Sequence, residues 1–256
     1  MLLRNANLGD GDTESRGSRA PYDKTHMPVQ ALIPKKAWFY WSGPRMSWLR
    51  QQSLETFQRL NPSWECKFIH VKKEPSEGLL RDRVVQSDLA RYQTLHSEGG
   101  MYFDTDIIFL KPIPDLWTYR DVCMVSRDGQ AQGVAVLGGR EGSLFFLSLV
   151  THCKERLNSK VMMAYQSLGI KLFIGKDTRK MASDFGESLY EIPIELLFPR
   201  PWGAVEDLWS DIQIPLHPEA VGIHWFGGDE LSRDMEPKIM PGTLDEYPCL
   251  LTRVLK

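Results

Sequence analysis

The chain has 256 residues, 42% of them hydrophobic and 25% charged, the proportions of an ordinary globular protein with one sizeable core. Its 31 basic and 33 acidic side chains leave a formal net charge of -2, which excludes a broad electropositive surface for nucleic acid and still permits a locally basic groove. No apolar run approaches the roughly 20 residues needed to span a bilayer. The four cysteines, Cys66, Cys123, Cys153 and Cys249, form no C-x-x-C pair, which argues against a zinc site and for free thiols in a reducing compartment.

Residues 1–27 are polar and rich in Gly, Ser and Asp, with an apolar start too short for a signal peptide. They read as a mobile tail ahead of a single domain over 28–256, in a protein expected in the cytoplasm. The segment from Ile33 to Trp41 is β-prone and is stopped by Ser42-Gly43-Pro44. Met46 to Leu60 has helical spacing, with Leu49, Ser53, Phe57 and Leu60 on one face, and Asn61-Pro62 ends it. Trp64 to Val71 is a second strand, so the opening is a βαβ unit and implies a parallel sheet. A helix over 82–97 carries Val85, Leu89, Tyr92 and His96 on one face and stops at Gly99-Gly100. The strand Met101–Phe103 then runs into Asp104-Thr105-Asp106. Later elements are strands at Val122–Ser126 and Gly133–Leu137, a helix over Ser143–Leu157 and a buried strand at Ala220–Phe226. The fold class is α/β, with ligands expected at the carboxyl ends of the strands.

Asp104 and Asp106 fall at that edge. The backbone is expected to turn there, so that one carboxylate can ligate a metal directly and the other act through water or ribose. Hard oxygen ligands in this arrangement suit Mg²⁺ or Mn²⁺, which bind substrate phosphates as well as protein. Taken alone, the bare triplet reads as a solvated loop. On the preceding helix Asp88 and Arg91 lie three apart on one face, either as an ordinary ion pair or with Asp88 on ribose hydroxyls and Arg91 supporting the nucleotide.

The run SDLARYQTLHSEGGMYFDTDIIFLKPI sets these residues in a wider pattern. Ser87-Asp88, Arg91, Gly99-Gly100, Tyr102 and Asp104-x-Asp106 stand at the spacing of the DXD sugar-binding glycosyltransferases, which the chain resembles. That family includes the yeast initiating mannosyltransferase, capsular-polysaccharide enzymes and the glucosyltransferase domains of large clostridial toxins. IPKKAWFYWSGP is similar to the family's first strand, and NPSWE and FPRPWG to further landmarks of structural kind. The resemblance is dense over 85–113 and sparse elsewhere within 30–230.

The resemblance implies a GT-A type nucleotide-sugar-binding fold, a Rossmann-like, mostly parallel sheet flanked by helices. It implies a metal-dependent transferase that moves a sugar from a nucleoside-diphosphate donor, UDP-sugar favoured and GDP-sugar possible, with retention of configuration. Trp41 would stack on the base, and Asp88, Arg91, Gly100, Tyr102 and Asp104 would bind the donor. Asp106 would hold Mn²⁺ (or Mg²⁺) directly, Asp104 through its water shell, and His224 as a third ligand; Asp104 and Asp106 are the expected catalytic pair. The acceptor, whether glycan, lipid-linked or protein, is left open. Gln132 is a weak candidate for positioning the donor. The chain departs from the family after His224, where Gly227, Gly228 and Asp229 replace the usual Ser-Trp; the glycine N–H groups or Asp229 would have to substitute. A second departure is Gly169-Ile170 in place of Gly-Pro.

Two other readings share parts of this pattern. A haloacid-dehalogenase-type phosphatase also begins from Asp-x-Asp, and Asp229 and Asp234 mimic its late acidic motif. It places that motif on its first strand, however, and needs a lysine where none occurs between Lys180 and Lys238. A non-catalytic sugar-nucleotide-binding module would keep the fold and the site without turnover.

Overall fold

Successive side chains of a strand point to opposite faces of its sheet, and here both faces are covered. From Ala37 to Tyr40 the side chains alternate between two cores: Ala37 and Phe39 join one, Trp38 and Tyr40 the other. Met101 and Phe103 against Tyr102, and Cys123 and Val125 against Val122 and Met124, divide the same way. A sheet buried on both sides has no polar face, which is why these strands read as continuous apolar runs. The computed structural model describes residues 30–42, 45–69, 80–158, 172–173 and 175–256, with the backbone alone given for 80–85 and 156–158. The expected tail over 1–27, Gly43-Pro44 and Gly169-Ile170 lie outside the described residues.

The opening βαβ unit consists of β1 (Lys36–Tyr40), α1 (Trp48–Leu60) and β2 (Glu65–Ile69), with β1 and β2 parallel. The hydroxyl of Ser47 accepts from the Arg50 N–H at 3.2 Å and so caps the start of α1. At the other end the Asn61 amide donates to the Phe57 carbonyl (3.0 Å), while its Oδ1 accepts from the Ile113 N–H (2.8 Å). Asn61 thus closes α1 and ties it to the chain beyond the acidic loop. Leu49, Ser53, Thr56 and Phe57 are the buried residues of α1. Phe57 sits 5.0 Å from both Phe103 and Phe109, ring to ring.

Next come α2 (Leu80–Glu98), β3 (Gly100–Phe103) and β4 (Ile107–Phe109). Gly99 ends α2 with φ +62°, and its N–H bonds the Leu95 carbonyl at 3.2 Å. After them run β5 (Val122–Arg127), β6 (Gln130–Ala131), β7 (Val136–Gly139), α3 (Leu144–Asn158), α4 (Thr178–Ser183) and β8 (Leu189–Ile192). The chain ends through α5 (Val205–Trp209), β9 (Gly222–His224), α6 (Glu230–Met235) and α7 (Leu250–Leu255).

The main sheet has the order β2-β1-β3-β7-β5-β6, with β8 also paired to β5. β1, β2, β3, β5 and β8 run one way; β7, between β3 and β5, and the short β6 run the other. On one face α2 and α3 pack together, with Tyr92 and Phe146 rings 6.3 Å apart; α1 covers the other. This is the α/β class expected from the sequence, a mostly parallel sheet flanked by helices.

Two strands differ from the sequence reading. The strand expected at Gly133–Leu137 begins at Val136, because Gln132 to Ala135 leave the hairpin before pairing with β3 starts. That hairpin turns on Asp128 (φ +51°) and Gly129 (φ +75°), a left-handed pair suited to a two-residue turn. The strand expected over Ala220–Phe226 shortens to Gly222–His224, since its partner β4 has only three residues.

Gly100 holds φ +106°, and a Cβ there would lie 2.6 Å from the Lys36 carbonyl oxygen and 2.8 Å from Trp38 Nε1. That nitrogen donates to the Gly99 carbonyl at 2.7 Å. Glycine is therefore needed where β3 enters beside β1. Gly100→Ala should cost about 2–4 kcal/mol through strain and overpacking, read as a lowered urea midpoint with unchanged m-value.

Candidate active site

The main sheet loses its strand at the acidic residues. The Asp104 N–H still bonds the Ala135 carbonyl at 2.8 Å; past it the chain bends through Thr105 and Asp106, and β4 pairs in a separate ribbon with β9. In that antiparallel register Ile107 faces His224, and the Trp225 N–H donates to the Asp106 carbonyl at 3.1 Å. A late strand is thereby stitched to the acidic loop, and His224 arrives beside Asp106.

Asp104, Asp106 and His224 each offer one ligand atom, all within 4.8 Å of one another. His224 Nε2 lies 3.3 Å from Asp106 Oδ1. Among the described residues neither nitrogen of this buried imidazole has a well-formed hydrogen bond, although buried polar groups are ordinarily satisfied. Two carboxylate oxygens and an imidazole nitrogen form a donor set that fits a divalent cation. The aromatic rings of Phe198 and Phe226 wall His224 at 4.9 and 4.5 Å.

The two carboxylates are held differently. Asp104 Oδ1 accepts from the Tyr102 hydroxyl at 2.7 Å and lies 3.4 Å from Arg91. Asp106 Oδ2 accepts from the Gly227 N–H at 2.5 Å. Burial pushes the Asp104 carboxyl above its ordinary range against the pull of Arg91, with Asp106 reinforcing the rise. Burial acts the same way on Asp106, but His224, Arg50 and the Gly227 amide outweigh it and hold that carboxyl well below its ordinary range. One carboxylate is thus fixed as an anion, while its neighbour is more readily protonated.

Arg91 organises the α2 side. Its guanidinium lies 4.3 Å from the centre of the Tyr102 ring, donates to Ser87 Oγ (3.0 Å) and the Val134 carbonyl (2.8 Å), and approaches Asp88 at 3.4 Å. The structure therefore brings Asp88, Arg91, Tyr102, Asp104, Asp106 and His224 into one connected group. Trp41, at the end of β1, joins it through Arg50, whose guanidinium sits 5.0 Å over the indole. Gly100 stands at the far end of β3, where the packing against β1 accounts for it. Gln132 is exposed, its amide donating to the Gln130 carbonyl at 3.1 Å, and the structure does not bring it to the acidic group.

Arg50 went unread in the sequence. It donates to Thr105 Oγ1 (2.8 Å) and to Glu236 Oε1 (2.8 Å), and Ser47 also donates to that Glu236 oxygen at 2.6 Å. A Cβ on Gly227 would fall 2.1 Å from Arg50 Nη2 and 3.1 Å from Asp106 Oδ2, so a side chain here would displace the Arg50 guanidinium from its present place. Phe226 immediately before it takes φ +54°, a left-handed conformation uncommon for a bulky residue. That turn presents the Gly227 N–H to Asp106. Of the two substitutes expected for the missing serine, the glycine amide reaches the acidic group. Asp229 instead caps α6, accepting from the Leu231 N–H at 3.0 Å. The only signal for Arg50 was its place one turn into a helix that starts beside Trp41, which no motif marks.

Residues 32–123 match the family described as "Glycosyltransferase sugar-binding region containing DXD motif". No curated protein matches the chain at the sequence level. Among solved structures, a glycosyltransferase involved in glycosylation of the major capsid of PBCV-1 is 10% identical, over 80% of this chain and all of its own, with a TM-score of 0.49. The apo-form glycosyltransferase GlyE of Streptococcus pneumoniae TIGR4 is 15% identical over 75% of this chain, which spans 54% of GlyE, with a TM-score of 0.43. The galactosyltransferase LgtC, in complex with donor and acceptor sugar analogs, is 10% identical over 80% of this chain and 84% of its own, with a TM-score of 0.38. The matched stretch, residues 32–123, is similar to glycosyltransferase sugar-binding regions that contain the DXD motif, and it includes Asp88, Arg91, Asp104 and Asp106.

Proposed function

We propose that the protein transfers a hexose from a nucleoside-diphosphate sugar to an acceptor hydroxyl with retention of configuration, in a reaction that depends on Mn²⁺ or Mg²⁺. The observation that carries this reading is the Asp104, Asp106 and His224 group, whose ligand atoms lie within 4.8 Å of one another and whose buried imidazole has no well-formed hydrogen bond among the described residues. Asp106 and His224 would hold the cation directly and Asp104 through its water shell. When bound, the cation supplies Lewis-acid stabilisation of the departing diphosphate.

The remaining work falls to the chain. Trp41 offers an indole face to the base, its other face backed by Arg50. Asp88 and Arg91 take the ribose and nucleotide side, and Tyr102 keeps Asp104 oriented through its hydroxyl. Arg50 and the Gly227 amide keep Asp106 ionised and fixed, so little reorganisation is needed as charge develops on the leaving group. The acceptor oxygen bonds to the anomeric carbon as the carbon–diphosphate bond breaks on the same face, and the acceptor's proton passes to the leaving phosphate oxygen. UDP-sugar is the favoured donor. A cytoplasmic location belongs to the same proposal, consistent with four free cysteines. No helix among the described residues is long and apolar enough to cross a membrane.

A phosphatase would use Asp229 as part of its chemistry, whereas here that carboxylate caps a helix. A binding module without turnover remains distinct by assay alone: release of free diphosphate from a panel of UDP- and GDP-sugars with Mn²⁺. Asp106→Asn should lower that release at least about 10³-fold, a loss of roughly 4 kcal/mol of transition-state stabilisation, with the circular dichroism spectrum unchanged. Turnover near the wild-type level would remove the mechanism. Chelation should abolish release and added Mn²⁺ restore it. His224→Ala should weaken Mn²⁺ binding by about 100-fold or more in titration calorimetry, and equal affinity would show that the imidazole is not a ligand.

A further inference from the structure

We propose that Trp202 is a platform on which a neutral sugar ring of the acceptor stacks, so that the acceptor is a carbohydrate. This rests on the transferase reading above and extends it to the second substrate. Trp202 is 57% exposed, more than any other large hydrophobic side chain among the described residues. A single exposed apolar residue is unremarkable; the mounting and position of this one are not.

Its ring meets Phe226 edge to face at 5.4 Å, and Phe226 in turn meets His224 at 4.5 Å. Two ring contacts therefore link an open indole to the candidate metal ligand. The segment that bears it is stiff. Pro199 and Pro201 fix the backbone on either side of Arg200, whose Nε donates to Asp207 Oδ2 at 2.8 Å. The Ala204 N–H closes the turn on the Pro201 carbonyl at 3.0 Å, and Phe198 at the start of the segment packs against both His224 and Phe226. A rigid exposed aromatic loses little freedom on binding, which is what makes Trp a recurrent anchor in recognition.

The surroundings select the ligand's chemistry. Next to the indole in the chain, a Cβ on Gly203 would meet nothing within 4 Å among the described residues, so the neighbouring position does not crowd the ring. Arg200, two residues before the indole, is paired with Asp207, and Glu206 and Asp207 occupy the first turn of α5. Those carboxylates disfavour a phosphate or a carboxylate-rich acceptor. A sugar presents a C–H face that suits the negative π-face of an indole and carries no charge to desolvate. Leaving the reacting hydroxyl near His224, the rest of such an acceptor would run outward over Phe226 to Trp202.

The test is saturation-transfer NMR on the full chain with Mg²⁺ and uridine diphosphate. The probes are methyl glycosides of glucose, galactose, mannose and N-acetylglucosamine, together with octyl glucoside. Wild type should transfer saturation to ring C–H protons of at least one glycoside, and Trp202→Ala should weaken its apparent affinity about tenfold. Trp202→Phe, which keeps an aromatic face, should recover most of it. No transfer to any sugar in wild type, equal transfer in Trp202→Ala, or transfer confined to the octyl chain would each overturn the proposal. Diphosphate release from nucleotide sugars, run on the same wild-type preparation, separates the two readings. Its absence removes the transferase assignment itself, whereas release together with any of those three results removes the acceptor platform alone.

Discussion

Everything at the site depends on the point where the chain abandons the main sheet after Phe103. Had the strand continued, Asp104 and Asp106 would occupy alternate positions of one extended segment and Thr105 would lie between them on the opposite face. The bend through Thr105 and Asp106 instead starts a short second ribbon, in which β4 pairs with β9 in a register that sets Ile107 against His224. Those few backbone hydrogen bonds decide which imidazole meets which carboxylate. Arg50 reinforces the bend from α1 by binding Thr105, the residue between the two aspartates.

The site has two electrostatic halves that share a single loop. On one side Arg91 neutralises Asp88 and Asp104 beneath the Tyr102 ring. On the other, Arg50 is divided between Glu236 and the loop, in contact range of Trp41. Both arginines are nearly inaccessible and answered by carboxylates, so neither is an idle buried charge. Such pairs add little net stability. Their contribution is to fix orientation, which a site built around charge development requires.

Much of this was legible in the sequence, for reasons that can be named. The βαβ opening showed in its periodicity and in the Asn61-Pro62 stop, and the acidic pair showed because an apolar strand ran directly into it. Asp88 and Arg91 were visible as one face of a helix. The contribution of Arg50 was not, because it arises from contacts to Thr105 and Glu236 that are distant in sequence and carry no local pattern. FPRPWG passed as a structural landmark, since nothing in its residues says that Phe198 will pack on His224. β4 was missed because three residues are too few for a period to show, and β9 was drawn too long because an apolar run does not reveal the length of its partner.

The bond between the Gly227 amide and the Asp106 carboxylate joins positions 121 residues apart in the chain. Closing so wide a loop costs entropy before any contact repays it, and contacts of that separation tend to form late during folding. The βαβ half, with its short-range pairings, has the means to assemble ahead of the ribbon that completes the constellation. Competence at this site would then be the last property the folding chain acquires, and loss of the β4–β9 pairing would remove it while leaving the larger sheet standing.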